Sequence, residues 1–123
     1  MSQERRRTPA GYDYYLVRMQ RVWHPPTDVY ETDDEIVVKV EIPGMREEDF
    51  DITVVDRQLV ISGKRPDPGH KLSYHNMEIQ YGEFRTQVRV QWQLDQDAVE
   101  ATYDNGFLYV RLPKARHHRV QVK

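Results

Sequence analysis

Apolar and polar residues alternate in short runs through most of the chain, and a turn signal closes each run. Val29-Tyr30-Glu31-Thr32 is rich in strand formers, and Asp33-Asp34 ends it with a polar turn. Glu35 to Ile42 then sets Ile36, Val38, Val40 and Ile42 on one face of a strand, stopped by Pro43-Gly44. After the charged connection Arg46-Glu47-Glu48-Asp49, Phe50, Ile52 and Val54 alternate with Asp51 and Thr53 in another half-buried strand. Leu59-Val60-Ile61-Ser62 forms the next and is expected to close at Gly63. Pro66-Asp67-Pro68-Gly69 marks a polar loop that cannot be continuous sheet. A strand with Phe84, Val88 and Val90 resumes after Gly82. Val99, Ala101 and Tyr103 alternate, Asp104-Asn105-Gly106 supplies the positive φ angles of a tight hairpin, and Phe107, Leu108 and Val110 return. Short strands with no βαβ rhythm predict an all-β fold, an immunoglobulin-like antiparallel β-sandwich ending at Leu112-Pro113.

The N-terminal segment follows a different period. Tyr12, Tyr15, Leu16, Met19 and Trp23 fall on one helical face at spacings of 3, 1, 3 and 4. Asp13 is placed to cap a helix, and His24-Pro25-Pro26 must end it. One helix of about three turns buries little by itself, so its aromatic stripe needs a partner. That partner is its own sandwich, a sister subunit, or apolar surface on a foreign chain. The expected organisation is a partly helical arm over 1–27, a sandwich over 28–115 and an extended tail over 116–123.

At 123 residues the chain fits one domain with a single modest core. Eighteen Lys+Arg against twenty Asp+Glu leave a formal charge of −2, which argues against a protein devoted to nucleic acid or an acidic membrane. The distribution is uneven. Residues 1–27 hold five Arg and two acids (+3), residues 28–115 hold ten Lys+Arg and eighteen acids (−8), and residues 116–123 hold three basic groups (+3). Basic ends of one subunit could therefore lie on the acidic body of another. No apolar run approaches the roughly 20 residues of a membrane span. Met1 to Thr8 is polar and Arg-rich with no apolar stretch behind it, so a cytoplasmic location is expected.

Candidate chemistry is sparse. With no cysteine, disulfides, thiolate catalysis and Cys-ligated metal sites are ruled out. Ser2, Ser62 and Ser73 are the only serines, and none lies in a G-x-S-x-G elbow. Neither a phosphate-binding loop nor G-x-G-x-x-G is present. Asp95-Gln96-Asp97 lacks the glycine and terminal glutamate of a calcium loop. His70, His75, His117 and His118 lack zinc-site spacing. Arg5-Arg6-Arg7 supports only weak, salt-sensitive contact with nucleic acid. No enzyme activity, metal, cofactor or specific nucleic-acid partner is expected.

One segment carries a resemblance. Ala101-Thr102-Tyr103-Asp104-Asn105-Gly106-Phe107-Leu108 resembles the A-x-x-x-N-G-[VF]-L signature of the small heat-shock proteins, the α-crystallin domain family. Asp28-Val29-Tyr30-Glu31, Ile42-Pro43-Gly44 with Glu48-Asp49, Leu59-Val60-Ile61-Ser62-Gly63, Tyr81-Gly82-Glu83-Phe84 and Leu112-Pro113-Lys114 match the family's other segments in order. Val120-Gln121-Val122 resembles its I-x-I tail motif, in which two β-branched side chains enter a groove on a neighbouring subunit. Residues i and i+2 of an extended segment point the same way, so both knobs can enter one groove. Carried over, Phe50, Ile52, Val54, Val99 and Ala101 form that groove. Lys64 to Met77 corresponds to the strand that bacterial and plant members exchange between two subunits, with Leu72, Tyr74 and Met77 as its apolar contacts. Two positions depart from the family pattern: Thr86 stands where arginine is usual, and Gln91 where proline is usual.

The resemblance implies an ATP-independent chaperone that holds unfolding proteins and suppresses their aggregation. Its partners would be itself, as a dimer building block of a larger homo-oligomer, and unfolding clients. Tyr12, Tyr15, Leu16, Met19 and Trp23 would supply client or oligomer contacts. The alternative is a partner-specific co-chaperone adaptor on the same sandwich, which would not assemble through tails.

Overall fold

The computed structural model describes residues 2–7 and 13–18 as backbone, and residues 22–114 and 122 in full. The strands, in chain order, are β1 (Ser2–Arg7), β2 (Asp13–Arg18), β3 (Thr27–Glu31), β4 (Glu35–Glu41), β5 (Phe50–Val55), β6 (Gln58–Arg65), β7 (Gly82–Arg89), β8 (Glu100–Asp104) and β9 (Phe107–Pro113). Two antiparallel sheets, β3-β4-β9-β8 and β5-β6-β7, make the sandwich. Helical structure among the described residues is limited to 3-10 turns at Glu47–Asp49 and Gln96–Ala98.

Strand alternation delivers the core. On β4, Val38 and Val40 face inward and pair directly with Val110 and Leu108 of β9. Leu59 and Ile61 of β6 and Phe84 of β7 close the space from the other sheet, all essentially inaccessible to solvent. Each fully buried side chain of this size contributes roughly 1.5–3 kcal/mol. Phe84 is central: its ring lies 5.8 Å from Trp23 and 6.1 Å from Phe50, in tilted and edge-on arrangements. Val37, on the opposite face of β4 between Tyr30 and Arg111 in the ladder, is also fully buried. The hairpin joining β8 and β9 turns at Asn105 (φ 50°) and Gly106 (φ 82°), the two positive φ angles that a right-twisted hairpin needs.

Two expectations are corrected. The N-terminal segment is not helical between Asp13 and Arg18: β2 pairs antiparallel with β1, Tyr15 opposite Arg5 and Leu16 opposite Glu4. Asp-Tyr-Tyr-Leu-Val-Arg is dominated by aromatic and branched residues that favour extended backbone, and pairing with β1 satisfies the backbone groups on that side. Gly63 does not close its strand, because β6 runs on to Arg65. A Cβ at Gly63 would sit 2.7 Å from both the Asp49 carbonyl oxygen and Phe84 Cζ, so the glycine makes room for the Phe84 ring. Contacts with the sandwich extend back to Trp23. Trp23 forms a parallel bridge to Phe84, with Trp23 N–H donating to Glu83 O and Arg85 N–H to Trp23 O, each at 3.0 Å.

Candidate functional site

Between the edges of the two sheets lies a groove of about 450 Å3, lined by Glu47, Phe50, Ile52, Ala101, Thr102, Tyr103 and Leu108. Its walls are edge strands: among the described residues β5 pairs only with β6, and β8 only with β9. Each wall therefore offers backbone N–H and C=O groups to a further strand, beside an apolar slot. Leu108 is buried in the floor. Tyr103 is fixed there by its hydroxyl, which donates to Ile42 O at 2.8 Å and accepts from Met45 N–H at 3.3 Å. Its ring packs 5.1 Å from that of Phe50.

The structure brings together Phe50, Ile52 and Ala101 of the five groove residues expected from sequence. Val54 and Val99 pack against the core, as Phe50 and Ile52 also do, but do not line this groove, and Val99 lines a separate depression of about 200 Å3 with Leu94, Ala98 and Pro113. Glu47, Thr102, Tyr103 and Leu108 were missed. Tyr103 and Leu108 are cross-strand partners across the Asn105-Gly106 hairpin, and that register was the available signal. Of the tail pair, Val122 is exposed, while Val120 lies outside the described residues.

The segment from Pro66 to Tyr81 carries no strand and displays Leu72, Tyr74, Met77 and Ile79, all exposed. Ile79 was not foreseen, although Met77, Ile79 and Tyr81 alternate as a strand would. The loop is tied internally. Lys71 Nζ donates to Asp67 Oδ1 and to Pro68 O, both at 2.7 Å, and the Tyr74 hydroxyl donates to Asp67 Oδ2 at 2.6 Å. The Lys71 hydrogen bond, then that of Tyr74, holds the Asp67 carboxyl below its ordinary pKa, and the bond to Asp67 raises both Lys71 and Tyr74.

Of the N-terminal stripe, Tyr12 and Met19 lie outside the described residues, Tyr15 and Leu16 belong to β2, and Trp23 is built into the sandwich. Thr86 is buried on the inner face of β7, where its hydroxyl lies 3.4 Å from that of Thr27. A buried, hydroxyl-paired position suits threonine. Among the described residues no three His, Asp or Glu side chains gather as a metal-holding group, and no helix is long and apolar enough to cross a membrane.

A sandwich of four and three antiparallel strands, with an apolar slot between two open edges and a long loop before β7, defines an α-crystallin-type domain. The comparisons agree: residues 28–123 match the Hsp20/alpha crystallin family, and the chain belongs to it. It is 31% identical over 104 residues to small heat shock protein C2 of Rickettsia felis, a match covering 80% of this chain and 68% of that protein. Heat shock protein HSP.16.4 of Streptococcus thermophilus is 34% identical over 104 residues, covering 77% and 69% of the two chains. Among solved structures, HSP18.5 from E. histolytica superposes with a TM-score of 0.67 at 28% identity, covering 83% of this chain and 99% of that one. Heat shock protein 16.0 from Schizosaccharomyces pombe gives a TM-score of 0.67 at 27% identity, covering 86% and 80%.

Proposed function

We propose that this protein is an ATP-independent holding chaperone of the cytosol that captures partly unfolded proteins and keeps them from aggregating. The observation that carries this reading is the apolar groove between two edge strands, each paired on one side only among the described residues, in a chain whose tail bears two valines at i and i+2. Val120 and Val122 of one subunit seat in the groove of another. The loop bearing Leu72, Tyr74 and Met77 crosses to a second subunit to make the dimer. Stress loosens these contacts. The freed groove, together with Tyr12, Tyr15, Leu16 and Met19 of the arm, then binds apolar surface on a client. Trp23, bridged to Phe84, is the point where the arm is tied to the sandwich. Nothing turns over, so capacity scales with stoichiometry.

Light scattering of a heat-labile client without nucleotide tests this, with Val120→Ala/Val122→Ala beside the wild type. Suppression near equimolar ratio, with the variant altered in both oligomer mass and potency, is the expected result. A monomeric protein that suppresses nothing at any ratio would overturn the reading in favour of a partner-specific adaptor.

A further inference from the structure

Arg65, the last residue of β6, holds three separate pieces of chain at once. Its Nε donates to Gln80 O at 2.9 Å, its Nη2 donates to the same carbonyl, and its Nη1 donates to Pro43 O at 3.4 Å. The guanidinium also lies over two rings: Cζ is 4.5 Å from the Trp23 ring centroid and 5.5 Å from that of Tyr81. Gln80 and Tyr81 are the far end of the long loop, Pro43 belongs to the connection between β4 and β5, and Trp23 is where the chain enters the sandwich. Trp23 completes a ring of contacts by donating its indole N–H to Gly82 O at 3.2 Å. Arg65 touches Trp23 and Tyr81, and Trp23 touches the residue after Tyr81. A lysine cannot replace this arrangement, since an ammonium has neither a plane to lie over two rings nor a fork to grip one carbonyl.

We propose that Arg65 is a positioning residue that couples the long loop to the arm through Trp23, so that displacing either loosens the other. The two contacts share one guanidinium. When the loop end leaves, Gln80 O no longer orients the guanidinium, its contact with the Trp23 ring is lost, and the indole is freer to break its bond to Gly82 O, which stays in β7. Beside the guanidinium an apolar depression of about 320 Å3, bounded by Pro43, Pro66, Pro68, Ile79 and Tyr81, gives the loop end room to shift. The coupling lies within one chain, and only its consequence, arm release when the loop is exchanged, rests on the function proposed above.

The test is indole N–H exchange by NMR on the full-length chain. The two tryptophan signals are assigned with Trp92→Phe, and Trp92, whose indole donates to Pro113 O at 3.1 Å, serves as the internal reference. Arg65→Lys and Arg65→Gln are each expected to speed Trp23 indole exchange about tenfold or more, the scale of a lost charge-assisted bond, while Trp92 keeps its wild-type rate. In the reverse direction, Trp23→Phe is expected to speed chymotryptic cleavage between Leu72 and Tyr81. Equal acceleration at both indoles, or unchanged loop cleavage in Trp23→Phe, overturns the coupling. Client suppression is scored on the same variants. An inactive wild type that still passes the indole test overturns the function proposal alone, and an active one that fails it overturns the coupling alone.

Discussion

Gly63 sits in mid-strand at a point where a methyl group has no room. Its neighbours there are the Asp49 carbonyl and the edge of the Phe84 ring, which is itself wedged between Trp23 and Phe50. Gly63→Ala is therefore expected to lower stability by about 1–3 kcal/mol, as overpacking does, and to show as a lower urea midpoint at unchanged slope. The Asp67 triad makes a different prediction, because all three of its groups are exposed. Its hydrogen bonds hold the Asp67 carboxyl below the ordinary 3.8, so the carboxylate bridge is complete above the ordinary carboxylate range and is lost as pH falls through the lowered value. Tyr74 is raised above the ordinary 10.0, chiefly by the same carboxylate, so its bond is present below pH 10 and is lost as the phenol ionises above it. Asp67→Asn is expected to bring the Tyr74 midpoint down toward 10.0, followed at the 13C ζ resonance. An unmoved midpoint means that the triad does not form in solution.

At the scale of elements, the groove depends on a strut that crosses from β8 to the connection after β4. Tyr103→Phe leaves Ile42 O and Met45 N–H without their partner, at a cost of about 1–2 kcal/mol. A peptide ending in Val120-Gln121-Val122 is expected to bind this variant more weakly, measurable by titration calorimetry. Unchanged affinity would separate the strut from the groove. The sandwich strands were legible because each buries one face and so writes a period of two into the sequence. The same signal explains what was missed. Alternation marks Val54 and Val99 as half-buried just as it marks Phe50 and Ile52, and it does not distinguish a core-packed side chain that also lines the slot from one that does not. β2 was misread because its run of aromatic and branched residues fits a helical stripe as well as a strand. Trp23 extended that stripe by one more helical step, while its actual partner, Phe84, lies on a distant strand and leaves no trace in local spacing.

For the whole molecule, the charge division of +3, −8 and +3 and the two tail valines pull on assembly through different physics. Arg116, Arg119 and Lys123 flank the valines, and Glu47 lines the groove that would receive them. Attraction between exposed charges fades once the Debye length shortens from about 10 Å near 0.1 M salt toward about 3 Å near 1 M. Apolar seating is not screened, and excluded salts such as sulfate strengthen it. Sodium chloride is therefore expected to lower oligomer mass if the charged ends carry a share of the assembly, and the tail variants report the remainder. Val120→Ile/Val122→Ile restores one methylene per knob, about 0.8 kcal/mol each when fully buried, which is about fourfold per knob and about fifteenfold for both in the lifetime of a seated tail. Subunit exchange between labelled and unlabelled protein, followed by native mass spectrometry, reads that lifetime directly. Slower exchange in the isoleucine variant with a salt-dependent mass assigns apolar seating to the tail and a share of the assembly to the charged ends. Exchange that is indifferent to isoleucine while mass falls with salt would remove the groove from the assembly and leave the charged ends to hold it.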